Sequence, residues 1–222
     1  MANTAVGLIG LAVMGRNLAL NIERNGFRLT VFNRTVARTD EFLSGEAAGT
    51  RICGARTLED FVRGLDRPRR IITMVQAGGG VDDVLETLVP LLQPGDVVMD
   101  GGNSHFKDTN RRFASVSPSG VMFLGTGISG GESGALHGPS IMPGGQVEAY
   151  TAMRPVLERI AAVTDDGACV AYCGALSAGH YVKMVHNGIE YGDMQLISEA
   201  YAVLKAAGLT PPELADIFRS WN

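Results

Sequence analysis

Between Thr4 and roughly residue 175, short apolar runs rich in Val and Ile alternate with longer stretches whose apolar positions recur every third or fourth residue. The runs "TAVGLI", "RLTVFNR", "RRIITMV", "GDVVMDGG" and "VMFLGTG" read as strands. The stretches "GRNLALNIERNG", "RTLEDFVRGL", "GVDDVLETLVPLL" and "EAYTAMRPVLERIAAV" read as helices, with Gly26 as a stop and Pro90 awkwardly placed inside its helix. "RIITMV" and "DVVMD" lack polar alternation, as expected of strands covered on both faces. This order predicts an α/β chain built on a doubly wound, Rossmann-like, mostly parallel sheet with helices on both faces.

The pattern changes near Ala178. From there to Ala207 no proline intervenes, which predicts one helix of about 30 residues, about 45 Å long at 1.5 Å per residue, with Gly208 as its stop. "TPPE" then predicts a second start: Thr210 as cap, Pro211 in the first helical position and Glu213 closing a capping box. Met194, Leu196, Ile197, Tyr201 and Leu204 on the long helix call for a partner surface, supplied by a further domain or a second chain. The organisation is therefore expected to be a dinucleotide-binding domain over residues 1–177 and the start of an all-α domain, truncated, over 178–222.

Composition narrows this picture. The chain has 222 residues, 45% of them hydrophobic, enough for a sizeable core, and its 29 glycines with 6% aromatics suit an α/β fold with many tight turns. A net charge of −4 argues against a nucleic-acid partner. "MANTAVGLIGLAVMG" resembles a short signal core, but no basic residue precedes it and Gly7, Gly10 and Gly15 interrupt it. No segment offers 18 uninterrupted apolar residues, so no membrane partner is expected and the cytoplasm is the default. Cys53, Cys169 and Cys173 are too few for a disulfide framework. "CVAYC" reads as a buried strand without His or acidic companions, so no metal is expected.

Candidate chemistry begins at "GLAVMG", which follows the first strand and opens the first helix. It fits the dinucleotide turn, with Gly10 at the bend, Ala12 in the middle slot and Gly15 allowing close helix–sheet packing. Free N–H groups at that helix start favour a pyrophosphate. After the second strand, where an NAD site usually places Asp or Glu, stand Asn33, Arg34 and Thr35. A guanidinium there pairs with a 2′-phosphate and stacks on adenine, which favours NADP; a solvated loop charge is the plainer alternative for Arg34. Later strand ends carry "MDGGNS" and "GISGG", placing Asn103 and Ser129, Gly130 and Gly131 in the expected ligand crevice, unless the second stretch is only a flexible loop.

Lys183, His186, Asn187 and Glu190 fall within about 100° of arc on the long helix. Such charges are commonly solvated. Here Met, Val, Ile and Tyr neighbours in "HYVKMVHNGIEYGDM" suggest burial, where charges are costly unless paired or used, and an acid and a base on one rigid helix suit proton transfer.

Taken together and in order, "GLAVMG", "NRT", "GGNS", "SGGE…GPSIMPGG" and "GHYVKMVHNGIEYGDMQLI" resemble the 6-phosphogluconate dehydrogenase family across essentially the whole chain, which corresponds to the amino-terminal half of that family's subunit. The resemblance implies NADP-dependent oxidative decarboxylation of 6-phosphogluconate, a phosphorylated sugar acid, to ribulose 5-phosphate, without metal and in a homodimer. It further implies that Gly10, Leu11, Ala12, Val13, Met14 and Gly15, with Asn33, Arg34, Thr35, Val75, Gln76 and Ala77, hold NADP. Asn103 would touch both nicotinamide and substrate, and Ser129, Gly130, Gly131, His186, Asn187 and Tyr191 would position the sugar acid. Lys183 would be the base and Glu190 the acid. Departures from the family pattern are Leu176 and Ser177 in a loop expected to be more glycine-like, His137 in place of a larger residue, and the missing helical domain with its Lys-Gly-Thr-Gly signature and phosphate ligands. The isolated chain is accordingly expected to bind NADP but turn over little substrate. A related β-hydroxyacid dehydrogenase and a non-catalytic NADP-binding module are the competing readings.

Overall fold

The computed structural model describes residues 4–222. The chain forms two compact units, Met1–Lys183 and Met184–Asn222. In the first, five strands recur where apolar runs predict them: β1 (Val6–Ile9), β2 (Leu29–Phe32), β4 (Arg70–Thr73), β5 (Val97–Asp100) and β6 (Met122–Ser129). With β3 (Cys53–Ala55) and β7 (Ser140–Gly145) they build a seven-stranded sheet in the order β3-β2-β1-β4-β5-β6-β7, parallel throughout except for β7 against β6.

Adjacent residues on the central strands go to opposite faces, each under its own core. Ile72, Val97 and Met99 join Leu18 and Ile22 of α1 (Val13–Arg24) and Met153 and Leu157 of α7 (Val147–Ile160) on one side. Ile71 and Val98 join Phe61 of α3 (Leu58–Arg63) and Leu85 of α4 (Gly79–Leu88) on the other. Two-sided burial is why these strands show no polar alternation. Pro90 does not break its helix midway: α4 ends at Leu88 and the proline enters a following 3-10 turn, Val89–Leu91. Beyond the sequence reading are three helices, α2 (Val36–Ser44), α5 (Phe106–Val116) and α6 (Gly131–His137), a small hairpin of β8 (Val163–Thr164) and β9 (Gly167–Ala168), and two strands of the main sheet, β3 and β7. Of these, α6 and β7 occupy a glycine-rich stretch read as strand-end loop.

The "CVAYC" segment needs correction. It is not a buried strand: Cys169 and Cys173 are half-buried, and the segment runs beside β7 through isolated bridges at Val170 and Gly174. Pro143, in the middle of β7, has no N–H to donate, so the ladder breaks there. The Cys173 thiol donates instead to the Ala171 carbonyl at 3.3 Å.

The long helix is α8 (Ala178–Ala206), and Gly208 beyond it takes φ +93°, as its stop position requires. In the second unit α9 (Pro211–Trp221) starts with the expected box: the Thr210 amide donates to Glu213 at 2.8 Å and the Thr210 hydroxyl at 2.7 Å. The burial expected along "VKMVHNGIEYGDM" is corrected as well. Lys183 is buried, whereas Met184, Val185, Ile189 and Tyr191 are exposed, because eleven-residue α9 offers this unit little surface to cover them. Among the described residues no helix is long and apolar enough to cross a membrane.

Leu176, in the turn before α8, holds φ +54° with its side chain half exposed. The left-handed conformation costs a non-glycine residue about 1–2 kcal/mol, of which Gly would return about 0.5–1 kcal/mol as backbone entropy. Leu176→Gly is therefore expected to hold or slightly raise the melting temperature, while Leu176→Val lowers it. A glycine variant melting well below the parent would contradict this account.

Candidate functional site

The turn after β1 depends on two glycines. Gly10 takes φ +103°, and a Cβ there would lie 2.4 Å from the Met74 carbonyl oxygen; a Cβ on Gly15 would lie 1.9 Å from the Gly10 oxygen. Only glycine lets α1 begin this close to β4. Ala12, preceding α1, offers no side-chain cap, and no acidic residue sits in the first turn, so the positive helix end is free for an anion. Asn33 at the end of β2 closes the turn from the other side: its Oδ1 accepts from the Leu11 amide at 3.1 Å and its Nδ2 donates to the Thr35 carbonyl at 3.1 Å.

These elements border a cavity of about 670 Å³ lined by Gly10, Leu11, Ala12, Asn33, Arg34, Thr35, Val75 and Gln76 among others. Val13 lines a second recess beside it. Met14, Gly15, Ala77 and Asn103 do not line the cavity; Gly15 is buried beneath the turn, and Ala77 and Asn103 are exposed at strand ends. The Arg34 side chain is 91% exposed and reaches Asp83 only at 3.9 Å, a weak, screened pairing that leaves its guanidinium available. Arg38, on α2, lines the same cavity and was missed by sequence reading. Arg34 precedes α2 and Arg38 stands in its first turn, so their convergence on one cavity is legible only once α2 is recognised. A narrow glycine turn, an unoccupied helix dipole and two arginines at the far end suit a phosphorylated dinucleotide.

At the other side of the sheet, α8 begins directly on β6 and β7. A Cβ on Gly179 would lie 2.3 Å from the carbonyl oxygens of both Gly125 and Met142, and one on Gly127 would lie 2.4 Å from the Lys183 Cβ. Glycines in "GTGIS" therefore serve as a bed for the helix, and Lys183 is 8% exposed over Gly127. His180, one turn earlier, is buried with Nδ1 2.7 Å from the Thr109 hydroxyl. Ser129 is half-buried, and Gly130 and Gly131 hold φ +132° and +61° at the start of α6. His137, ending α6, meets Arg24 at 3.4 Å. In the second unit His186 Nδ1 lies 3.2 Å from Asn187 Oδ1 and 3.7 Å from Glu190 Oε2, so a protonated imidazole there would pair with the carboxylate; Tyr191 is exposed.

A parallel sheet whose first strand ends in a glycine turn, with a cavity across the ends of β1, β2 and β4, defines a dinucleotide-binding domain of the Rossmann type. Residues 5–174 match the family model for the NAD binding domain of 6-phosphogluconate dehydrogenase, and residues 179–222 match that for its C-terminal domain. The chain belongs to the 6-phosphogluconate dehydrogenase family. It is 61% identical over its whole length to a decarboxylating 6-phosphogluconate dehydrogenase of Synechococcus elongatus. It is 53% identical to the NADP(+)-dependent decarboxylating enzyme of Bacillus subtilis, covering 47% of each of these relatives. Among solved structures, the Plasmodium falciparum 6-phosphogluconate dehydrogenase, determined in its apo form and in complexes with NADP+ and with 6-phosphogluconate, superposes with a TM-score of 0.93 at 42% identity. That match covers 98% of this chain and 47% of that one. The chain thus spans about half the length of the relatives it matches.

Burial lowers the His180 pKa below its usual 6.5, with Arg112 acting in the same direction; the Asp100 carboxylate and the Gly102 and Asp100 carbonyls pull the other way without prevailing. The unfolded chain therefore takes up this proton first, so His180's contribution is complete above about pH 6.5 and declines as pH falls toward the lowered value. Urea midpoints at about pH 7.5 and 5.5 should show a drop that shrinks in His180→Gln; an unchanged drop would contradict the assignment.

Proposed function

We propose that the chain is the cofactor-binding part of an NADP-dependent dehydrogenase that oxidatively decarboxylates 6-phosphogluconate to ribulose 5-phosphate. Residues 1–177 form the NADP domain and 178–222 the start of a helical domain; the working enzyme is a cytoplasmic homodimer. The observation that carries this reading is the pairing of a glycine-built pyrophosphate cradle with Arg34 and Arg38 at the cavity's far end, where an NAD-specific site would present a carboxylate to the ribose.

In this reading Gly10–Gly15, Val75, Gln76 and Ala77 hold the dinucleotide, and Arg34 and Arg38 neutralise the 2′-phosphate. Bound NADP supplies the hydride acceptor. Lys183 takes the proton of the substrate's C3 hydroxyl as the C3 hydrogen departs with its electron pair. The resulting β-keto acid loses CO2 while Lys183, now an ammonium, stabilises charge developing on the C3 oxygen. Glu190 returns a proton to C1 of the enediol. Asn103, Ser129, Gly130, Gly131, His186, Asn187 and Tyr191 orient the sugar acid. Burial of Lys183 against Gly127 fixes the stem that aims its amine.

Binding to the 222-residue chain tests the cofactor half of this proposal. NADP is expected to bind at least ten-fold more tightly than NAD, and Arg34→Glu to remove that preference by placing like charge against the 2′-phosphate, each tenfold being about 1.4 kcal/mol. Equal affinity for the two dinucleotides would refute it. The reaction is tested by extending the chain with the carboxy-terminal half of a matching relative and following NADPH and CO2 from 6-phosphogluconate. Lys183→Met is expected to lower kcat by roughly 10²- to 10⁴-fold; retained turnover would remove Lys183 from the base role.

A further inference from the structure

Arg112, on α5, is 1% exposed, unusual for a guanidinium. All three of its nitrogens find partners, and the partners lie on different segments. Nη2 donates to the Gly78 carbonyl at 2.8 Å, Nε to Asp82 Oδ1 on α4 at 2.7 Å, and Nη1 to the Ser104 hydroxyl at 3.0 Å. Nη1 also stands 3.6 Å from Asp100 Oδ2. Asp100, fully buried at the end of β5, accepts from the Ser104 hydroxyl at 2.6 Å and from the Gly102 amide at 3.0 Å. One carboxylate thus holds the residues on both sides of Asn103, and in the run Gly101–Ser104 only Asn103 is exposed.

The two loops joined in this way, one following β4 and one following β5, lie on the side of the glycine turn opposite to β2 and Arg34. A dinucleotide crossing the sheet with its adenosine over β2 lays its other half over these strand ends. We propose that Arg112, acting through Ser104 and Asp100, is a positioning residue for the nicotinamide half of the site: it locks the loop after β4 to the loop carrying Asn103 and so sets where the nicotinamide can rest. This rests on the NADP reading above. A guanidinium suits the task because its donors sit on three nitrogens of one rigid plane and so reach separate loops, whereas an ammonium gathers its three donors on a single nitrogen.

The test separates the two halves of the cofactor. Adenosine 2′,5′-bisphosphate probes the adenosine end alone, whereas NADPH adds the nicotinamide, whose fluorescence reports its immobilisation. With the 222-residue chain, Ser104→Ala and Arg112→Lys are each expected to weaken NADPH about ten-fold and lower its bound anisotropy, while the bisphosphate stays within about two-fold of the parent. Thermal melts confirm that each variant folds; if Arg112→Lys does not, Ser104→Ala decides, since it removes one hydroxyl from the network. Unchanged NADPH binding by Ser104→Ala, or equal loss of both ligands, overturns the positioning role. So does a parent chain that binds NADPH no better than the bisphosphate. A parent chain that binds neither ligand refutes the cofactor reading itself, and the inference falls with it.

Discussion

The close approach of α8 to the sheet is the constraint from which the placement of His180 and Lys183 follows. Gly179 sits over Gly125, Met142 and Gly144 at a separation no Cβ could share. That contact fixes the first turns of the helix, and two consequences follow from the 3.6-residue period. His180 is driven into the interior against Thr109, and Lys183 lands on Gly127 with its stem buried. A lysine in the middle of an exposed helix samples many rotamers; this one has most of that freedom removed before any ligand arrives. At the opposite end of the domain Gly10 and Gly15 let the first helix begin against Met74. Both ends of the domain are thus set by backbone meeting backbone, and side chains are arranged around those contacts.

How much of this could be read beforehand depended on the kind of signal. Strands β1, β2, β4, β5 and β6 show as short, largely apolar runs, β4 and β5 without polar alternation because both their faces are buried, and α8 and its stop are marked by the absence of proline and by Gly208. The glycine turn was legible because its spacing is imposed by sterics. Helix α5 was not, since "FKDTNRRFASV" presents charges that look solvated, yet Arg112 and Thr109 lie inside. β7 was hidden because "SIMPGG" has the turn-like composition of a loop, and its antiparallel pairing to β6 is a tertiary matter that local propensity does not encode.

Glycine-rich stretches also carried two meanings that sequence alone could not separate. In "GISGG" the positive φ angles of Gly130 and Gly131 reflect a turn into α6, as a strand-end loop reading supposes. In "GTGIS" the glycines are extended strand residues kept small so that a helix can lie on them. Asn33 shows a similar duality: it takes the position where a carboxylate would meet a ribose, but its amide is spent holding Leu11 and Thr35. Arg34, just before α2, and Arg38, in its first turn, line the cavity beyond it, a convergence that appears only after α2 is seen.

The break in the ladder at Pro143 gives Cys173 a purpose other than reactivity. With no amide available from the proline, the Ala171 carbonyl takes its hydrogen from sulfur. A thiolate has no hydrogen to give, so the bond survives only while the sulfur stays protonated, and burial pushes the Cys173 pKa upward in that direction. The hydrogen that mends the border of the sheet is the one a nucleophilic thiolate would have to give up, so at this sulfur structure and reactivity compete for a single proton.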